Sequence, residues 1–104
     1  MNTLSPQQLK EKLAVDDFIL LDVRQPEEVA LAALPRAVNI PVSELPQRVA
    51  ELDQSKPVIA FCHHGVRSEM AARILLRSGF ADVAHLAGGI DAWSTSIDPT
   101  VPRY

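Results

Sequence analysis

Residues 58–68 read Val58-Ile59-Ala60-Phe61-Cys62-His63-His64-Gly65-Val66-Arg67-Ser68. The four apolar residues at the start are typical of a strand that is buried on both faces, as in a parallel sheet. The amphipathic segment after the loop predicts a helix from about Ser68 to Ser78, with Met70, Ile74 and Leu75 on its inward face. The polar loop between the two segments therefore places a cysteine at a strand-to-helix junction.

The same alternation of strand and helix extends in both directions from this stretch. We expect a helix from Ser5-Pro6 to about Ala14, a strand at 18–21, a helix opening at 26, a weak strand at 37–40, a helix opening at 43, a strand at 83–86 and a last helical turn containing Trp93. Such alternation predicts an α/β fold with a mostly parallel sheet of four to five strands, flanked by helices on both faces. Ligands bind at the carboxyl ends of such strands, and Cys62 lies at one of them.

Length and composition limit the class of protein. The 104 residues fit a single domain, with a core over about 4–93 and a C-terminal tail over 94–104. Cys62 is the only cysteine, so no intramolecular disulfide can form, and a free thiol fits a reducing compartment. The start of the chain has no signal-peptide pattern, and no apolar run approaches the roughly 20 residues of a spanning helix. We therefore expect a soluble, cytoplasmic protein with no membrane partner.

The charge pattern argues against a nucleic-acid partner. The formal net charge is -3, and Lys and Arg do not form runs. Only 5% of the residues are aromatic, which leaves little surface for base stacking.

The loop after Cys62 has the features of an anion site. A helix N-terminus carries a partial positive charge, Arg67 carries a full one, and consecutive backbone N–H groups in a tight loop can form a nest. Gly65 permits the positive φ that such a loop needs. These features favour the thiolate, which is the reactive form of cysteine. Free cysteine is often a small buried hydrophobe, but this loop favours a nucleophile at Cys62.

The other polar side chains near the loop have less specific interpretations. His63 and His64 either line the rim of the anion pocket, adding positive charge when protonated, or are solvated. Ser68 is either a helix N-cap, which we favour, or a hydrogen-bond donor toward the loop. His85, inside an apolar strand, is expected to be structural. We predict no metal, because the spacing of these histidines and Cys62 matches no usual zinc pattern.

Two further groups are expected to be structural. Asp22, Arg24 and Glu28 form a candidate ion-pair group beside a strand end. Trp93 is expected to pack in the core.

Four segments, in this order, resemble a single-domain rhodanese, which is a sulfurtransferase of the thiosulfate type. They are Leu21-Asp22-Val23-Arg24-Gln25-Pro26-Glu27-Glu28, Pro35-Arg36-Ala37-Val38-Asn39-Ile40-Pro41, Cys62-His63-His64-Gly65-Val66-Arg67-Ser68 and Gly88-Gly89-Ile90-Asp91-Ala92-Trp93. The first is similar to the family's D-V-R-x-P-x-E element, the third to its active-site loop and the fourth to its G-G-x-x-x-W element. The chain departs from the family at Ala32, Ala33 and Arg36, because rhodaneses often read G-H-I-P-G-A over residues 32–37 and this chain lacks that histidine and both glycines. That difference leaves the shape of this neighbouring loop open.

The resemblance implies a double displacement through a covalent persulfide on Cys62. The thiolate would take a sulfur from thiosulfate or a persulfide donor, and an acceptor would then remove it. The acceptor is cyanide in vitro and a thiol or a sulfur-carrier protein in the cell. The implied substrate-binding residues are His63, His64, Gly65, Val66, Arg67 and Ser68. No cofactor is implied, and the resemblance leaves both monomer and homodimer open.

Three other interpretations stay open at this point. A cysteine phosphatase or arsenate reductase has five residues between its cysteine and arginine, whereas this loop has four, which suits a sulfur atom better than a phosphoryl group. That reading also needs a general acid, which we cannot identify. A 3-mercaptopyruvate sulfurtransferase has a loop like C-G-S-G-V-T, without a counterpart of Arg67. A non-catalytic rhodanese-like binding module commonly lacks the cysteine that this chain keeps.

Overall fold

Five strands form one sheet in the computed structural model, which describes residues 2–15 and 17–104. The strands are β1 (Asn2–Leu4), β2 (Ile19–Asp22), β3 (Val38–Asn39), β4 (Val58–Phe61) and β5 (Val83–Leu86). They lie in the order β1-β5-β4-β2-β3, and every pairing between neighbours is parallel. The predicted α/β fold with a parallel sheet is confirmed.

Residues 2–15 and 17–104 contain five α-helices, of which four connect the strands and the fifth follows β5. They are α1 (Pro6–Val15), α2 (Pro26–Leu31), α3 (Leu45–Arg48), α4 (Val66–Arg77) and α5 (Gly89–Ser96), with a 3-10 turn at Val49–Glu51 directly after α3. The start of α1 is a capping box, because Ser5 Oγ accepts from the Gln8 N–H at 3.1 Å and Gln8 Oε1 accepts from the Ser5 N–H at 2.8 Å. Within the described part of the chain, none of the helices has the length and apolar character to cross a membrane.

An apolar core lies on each face of the sheet. On one face α1 and α5 contribute Leu9, Ile90 and Trp93, so Trp93 packs in the core as expected. On the other face α3 and α4 contribute Leu45 and Leu75. Helices therefore cover both faces, as predicted, and hold the strands from either side.

The structure differs from the sequence-based expectations at β1 and α4. The strand β1 was not predicted, since two of its three residues are polar and exposed at the sheet edge. Helix α4 begins at Val66 rather than Ser68. The inward position of Met70 was wrong, because Met70 is 52% exposed and the small Ala71 and Ala72 are buried instead. Small residues let the helix approach the sheet closely, which hydrophobicity alone does not indicate.

The carboxyl ends of the central strands meet at one edge of the sheet. Asp22, the last residue of β2, pairs with Phe61, the last residue of β4. Ala60 pairs with His85 on the other side of β4. Cys62 follows β4 directly, so the fold places the thiol at the edge where ligands bind in sheets of this kind.

Candidate active site

The sulfur of Cys62 accepts two backbone hydrogen bonds. The Gly65 N–H donates to Sγ at 3.0 Å and the Ser68 N–H donates to it at 3.4 Å. Gly65 has φ = 118°, which bends the loop so that its N–H points back at the sulfur. Cys62 is 1% exposed and lies at the N-terminus of α4, whose dipole favours negative charge. The loop is therefore built to stabilise an anionic sulfur.

The side chain of Ser68 faces the sulfur and does not cap the helix. Its Oγ lies 3.6 Å from Sγ of Cys62 and 3.0 Å from the carbonyl oxygen of Gly65, to which it donates. Gly65 occupies the N-cap position of α4, so the N-cap that we favoured for Ser68 was wrong. Because α4 starts two residues before Ser68, the hydroxyl is inside the first turn and points into the loop.

Helix α5 holds the cysteine loop from its other side. The Ile90 N–H donates to the carbonyl oxygen of Cys62 at 2.8 Å, and the Asp91 N–H donates to that of His63 at 3.2 Å. These two N–H groups belong to the first turn of α5, where the helix itself supplies no acceptor. Gly89 has φ = 63°, and a Cβ there would collide with both of those carbonyl oxygens. The glycine pair of the G-G-x-x-x-W element therefore allows α5 to contact the loop backbone.

Gly89→Ala is expected to lower the free energy of unfolding by about 2 kcal/mol, since the methyl group meets two fixed carbonyl oxygens at a positive φ. Gly79→Ala is the matched control, because Gly79 also has a positive φ of 101° but its added Cβ meets only the flexible side chain of Gln54. Urea unfolding of the two variants measures the difference. An equal loss in both would show that the loop carbonyls do not require a glycine.

The guanidinium of Arg67 forms an ion pair with Glu28. Arg67 Nη2 donates to Glu28 Oε2 at 2.9 Å, and Nη1 donates to the other carboxylate oxygen. These bonds lower the pKa of Glu28 to about 2, against the opposing effect of its partial burial. The hydroxyl of Tyr104 also donates to Glu28 Oε2, at 2.8 Å. Arg67 therefore joins the start of α4 to α2, and its charge is balanced by a carboxylate.

The remaining loop residues differ in environment. The ring of His63 stacks on that of Tyr104, with centroids 3.9 Å apart and planes 6° from parallel. Burial, and then the charge of His64, lower the pKa of His63, so its ring is neutral at neutral pH. The side chain of His64 is 63% exposed, with Nδ1 4.0 Å from a carboxylate oxygen of Asp91. Val66 is the exposed first residue of α4.

Sequence reasoning did not place Tyr104 and His85 at the site. Tyr104 contacts His63 and Glu28 from the end of the chain, and no local pattern signals a contact at that separation. Nδ1 of His85 lies 3.2 Å from Oγ of Ser68. Strand alternation could have found this contact, since His85 shares a face of β5 with Val83, and Val83 packs in the core beneath α4.

The predicted ion-pair group divides into two pairs. Arg24 is fully buried, and its Nε and Nη2 donate to the two carboxylate oxygens of Asp22 at 2.9 and 2.7 Å. The carboxylate of Glu28 turns instead to Arg67 and Tyr104. The two pairs stay connected, because Arg24 Nη1 donates to the Tyr104 hydroxyl at 2.9 Å and to the backbone carbonyl oxygen of Glu28 at 3.3 Å. Asp22 and Arg24 therefore support the end of β2, and Tyr104 links them to the pair beside the loop.

Among residues 2–15 and 17–104, no group of three or more His, Cys, Asp and Glu side chains is arranged to hold a metal ion. What the site presents is the sulfur of Cys62 in a cradle of backbone N–H groups.

Comparison with known proteins identifies the family. The model of the rhodanese-like domain family matches residues 5–96. A sulfurtransferase from Allochromatium vinosum is 34% identical over 95 residues, which cover 90% of this chain and 89% of that protein. The Bacillus subtilis protein YrkF, named as a candidate sulfur carrier protein, is 37% identical over 92 residues, which cover 88% of this chain and 50% of that one.

Solved structures show the same fold. A rhodanese-like domain protein from Staphylococcus aureus superposes with a TM-score of 0.85 at 28% identity, covering 100% of this chain and 99% of that one. A rhodanese-related protein from Thermoplasma volcanium superposes with a TM-score of 0.83 at 29% identity, covering 98% and 96%. Sulfurtransferase activity is supported by the names of the relatives. The chain belongs to the rhodanese-like domain family.

Proposed function

We propose that this protein is a sulfurtransferase that carries one sulfur atom as a persulfide on Cys62. The observation that carries the proposal is the pair of backbone N–H groups, from Gly65 and Ser68, that donate to Sγ at the start of α4. An anionic sulfur gains from both hydrogen bonds and from the helix dipole. These interactions favour the thiolate before the reaction and the persulfide anion after it.

The proposed reaction has two displacements. The Cys62 thiolate attacks the outer sulfur of thiosulfate, the S–S bond of the donor breaks, and sulfite leaves with the bonding electron pair. The persulfide so formed carries its negative charge on the terminal sulfur. An acceptor nucleophile, such as cyanide or a thiolate, then attacks that sulfur and regenerates the Cys62 thiolate. Charge and electrons balance in each step without an external oxidant or reductant.

The terminal sulfur of the persulfide would be bound by the first turn of α4. The N–H groups of Val66 and Arg67 precede the first hydrogen bond within the helix, which runs from the Glu69 N–H to the Gly65 carbonyl. They therefore lack a helical acceptor and are available to an anion in the loop. The ion pair with Glu28 holds the side chain of Arg67 against α2.

We propose thiosulfate or a persulfide as the donor, and a thiol or a sulfur-carrier protein as the acceptor. The name of YrkF, a sulfur carrier candidate with a matching segment, supports an acceptor of the carrier class. The free thiol supports a reducing compartment, and we place the protein in the cytoplasm. We propose that the protein acts as a monomer or a homodimer, because a single chain supplies the cysteine loop and the N–H groups that donate to Sγ.

Intact-protein mass spectrometry tests the proposal. Incubation with thiosulfate, followed by removal of excess donor, is expected to add about 32 Da, the mass of one sulfur, in keeping with a single covalent nucleophile. Subsequent cyanide is expected to remove that mass and to release one equivalent of thiocyanate. The same measurement with several persulfide donors ranks the donor classes.

Cys62→Ser is the control for the site of attachment. It keeps the size and polarity of the side chain but lacks the sulfur nucleophile, so no mass should be added. A wild-type protein that gains no sulfur from any donor would contradict the proposed activity, as would an adduct that survives Cys62→Ser.

A further inference from the structure

A series of hydrogen-bonding side chains runs from the sulfur of Cys62 to β1, the strand at one side of the sheet. Sγ of Cys62 lies 3.6 Å from Ser68 Oγ, and that oxygen lies 3.2 Å from Nδ1 of His85. On the other side of the ring, Nε2 of His85 lies 3.3 Å from Oγ1 of Thr3. Three elements supply these groups, namely α4, β5 and β1. The sulfur is thereby linked to a partly exposed imidazole.

The register of the sheet explains why these side chains share one face. Thr3 on β1 pairs with His85 on β5, and side chains that pair across parallel strands point to the same side. That side is the one covered by α4, which presents the buried Ser68 to the ring. The buried thiol therefore has a route for its proton that does not pass through the mouth of the loop.

We propose that His85 is a positioning residue that takes up, through the hydroxyl of Ser68, the proton lost when Cys62 ionises. The inference rests on the proposed function for the role of Cys62 as nucleophile. In this step the S–H bond breaks, its electron pair stays on sulfur, and the proton passes to Ser68 Oγ. The original proton of that hydroxyl passes to Nδ1 of His85. The products are a thiolate and an imidazolium, so charge is conserved.

The hydrogen bonds around the ring are consistent with this direction. Nδ1 accepts a proton only if Nε2 carries the other one, and Thr3 Oγ1 is placed to accept a hydrogen bond from that Nε2–H. Before the transfer, the Ser68 hydroxyl has two acceptors within reach, the Gly65 carbonyl oxygen at 3.0 Å and Nδ1 of His85 at 3.2 Å. A small rotation of the hydroxyl switches between them.

The ring of His85 is neutral before the transfer because burial disfavours the imidazolium. Burial lowers the pKa of His85, opposed by the charge of Glu69 on α4. Glu69 is itself paired with Arg73 at 3.0 Å. The neighbouring strands β1 and β4 bring no ionisable side chain, and Cys62, just beyond β4, reaches the ring through Ser68.

Alkylation of Cys62 by iodoacetamide tests the inference, because it needs the thiolate but no sulfur donor. His85→Asn keeps a polar atom near the position of Nδ1 but has no base. Its alkylation rate is expected to fall about tenfold at pH 7, since the thiolate loses the opposing charge of the imidazolium. At pH 10 hydroxide ionises the thiol directly, so the two rates are expected to agree within about twofold.

Ser68→Ala provides the second arm of the test. If the proton passes through Ser68, the double variant Ser68→Ala with His85→Asn is alkylated at pH 7 as fast as Ser68→Ala alone. His85→Gln, which also lacks a base, replaces His85→Asn if that variant fails to fold by circular dichroism. The inference is overturned if His85→Asn is alkylated at the wild-type rate at pH 7, or if its rate falls equally at pH 7 and pH 10. It is also overturned if the reductions in rate caused by Ser68→Ala and His85→Asn multiply in the double variant. A normal alkylation profile in a protein that forms no persulfide would overturn only the proposed function.

Discussion

Arg24→Met is expected to lower the free energy of unfolding by about 4 kcal/mol, because it leaves the carboxylate of Asp22 buried without its partner. Arg24 is 0% exposed. Besides its two bonds to Asp22, the guanidinium donates from Nη2 to the carbonyl oxygen of Ala32 at 2.8 Å and from Nη1 to the Tyr104 hydroxyl at 2.9 Å. Methionine fills a similar volume but supplies no donor. A loss of this size is a large part of the stability of a small domain.

Urea unfolding at pH 7 measures the effect. Arg77→Met is the matched control, because Arg77 is exposed and its Nε donates to a backbone carbonyl oxygen, that of Arg73, at 3.4 Å. This variant should lower the free energy of unfolding by no more than about 0.5 kcal/mol. The double variant Asp22→Asn with Arg24→Met removes the buried charge as well and should recover part of the loss. If Arg24→Met cost no more than Arg77→Met, the buried pair would not stabilise the end of β2.

The strands next to the cysteine loop could be predicted closely because each is a continuous apolar run. The bounds of β4 and β5 match the expected segments, 58–61 and 83–86. By contrast, β1 is a three-residue edge strand with two exposed polar residues, and it is held by its pairing with β5. Only tertiary contact distinguishes such a segment from a loop.

The candidate site was predictable where its chemistry is local. Cys62 and the backbone that surrounds it lie within seven residues of sequence, so loop composition and the following helix indicate an anion site. The side-chain partners are not local. Glu28 is 39 residues from Arg67, and Tyr104 is 76 residues from Glu28. Their contacts depend on how α2 and the end of the chain pack beside α4, which periodicity does not reveal.

The ion pair between Arg67 and Glu28 has a consequence that depends on pH. The pKa of Glu28 is about 2 in the folded protein and near 4.5 when unperturbed, chiefly because Arg67 donates to the ionised carboxylate. As the pH falls, the unfolded chain takes up this proton first. The stability that the pair contributes is therefore complete above pH 4.5 and is lost as the pH falls to about 2.

Glu28→Gln is expected to lower the free energy of unfolding at pH 7 by about 3 kcal/mol, and this difference from the wild type should disappear by about pH 2. Glutamine keeps an acceptor for the Tyr104 hydroxyl, so the change isolates the charge. Glu69→Gln is the control, because Glu69 forms an exposed pair with Arg73 at 3.0 Å and should contribute about 0.5 kcal/mol or less.

Urea unfolding from pH 7 to pH 2 and the rate of persulfide formation together decide what the pair does. Without its partner, Arg67 no longer ties the start of α4 to α2, so we expect Glu28→Gln to form the persulfide more slowly at pH 7 even where it is fully folded. A slower rate with the pH-dependent loss of stability means that the pair holds the loop in its reactive shape. A stability difference that stays constant down to pH 2 would mean that the charge of Glu28 is not what Arg67 binds. An unchanged rate in a destabilised variant would limit the pair to the stability of the fold.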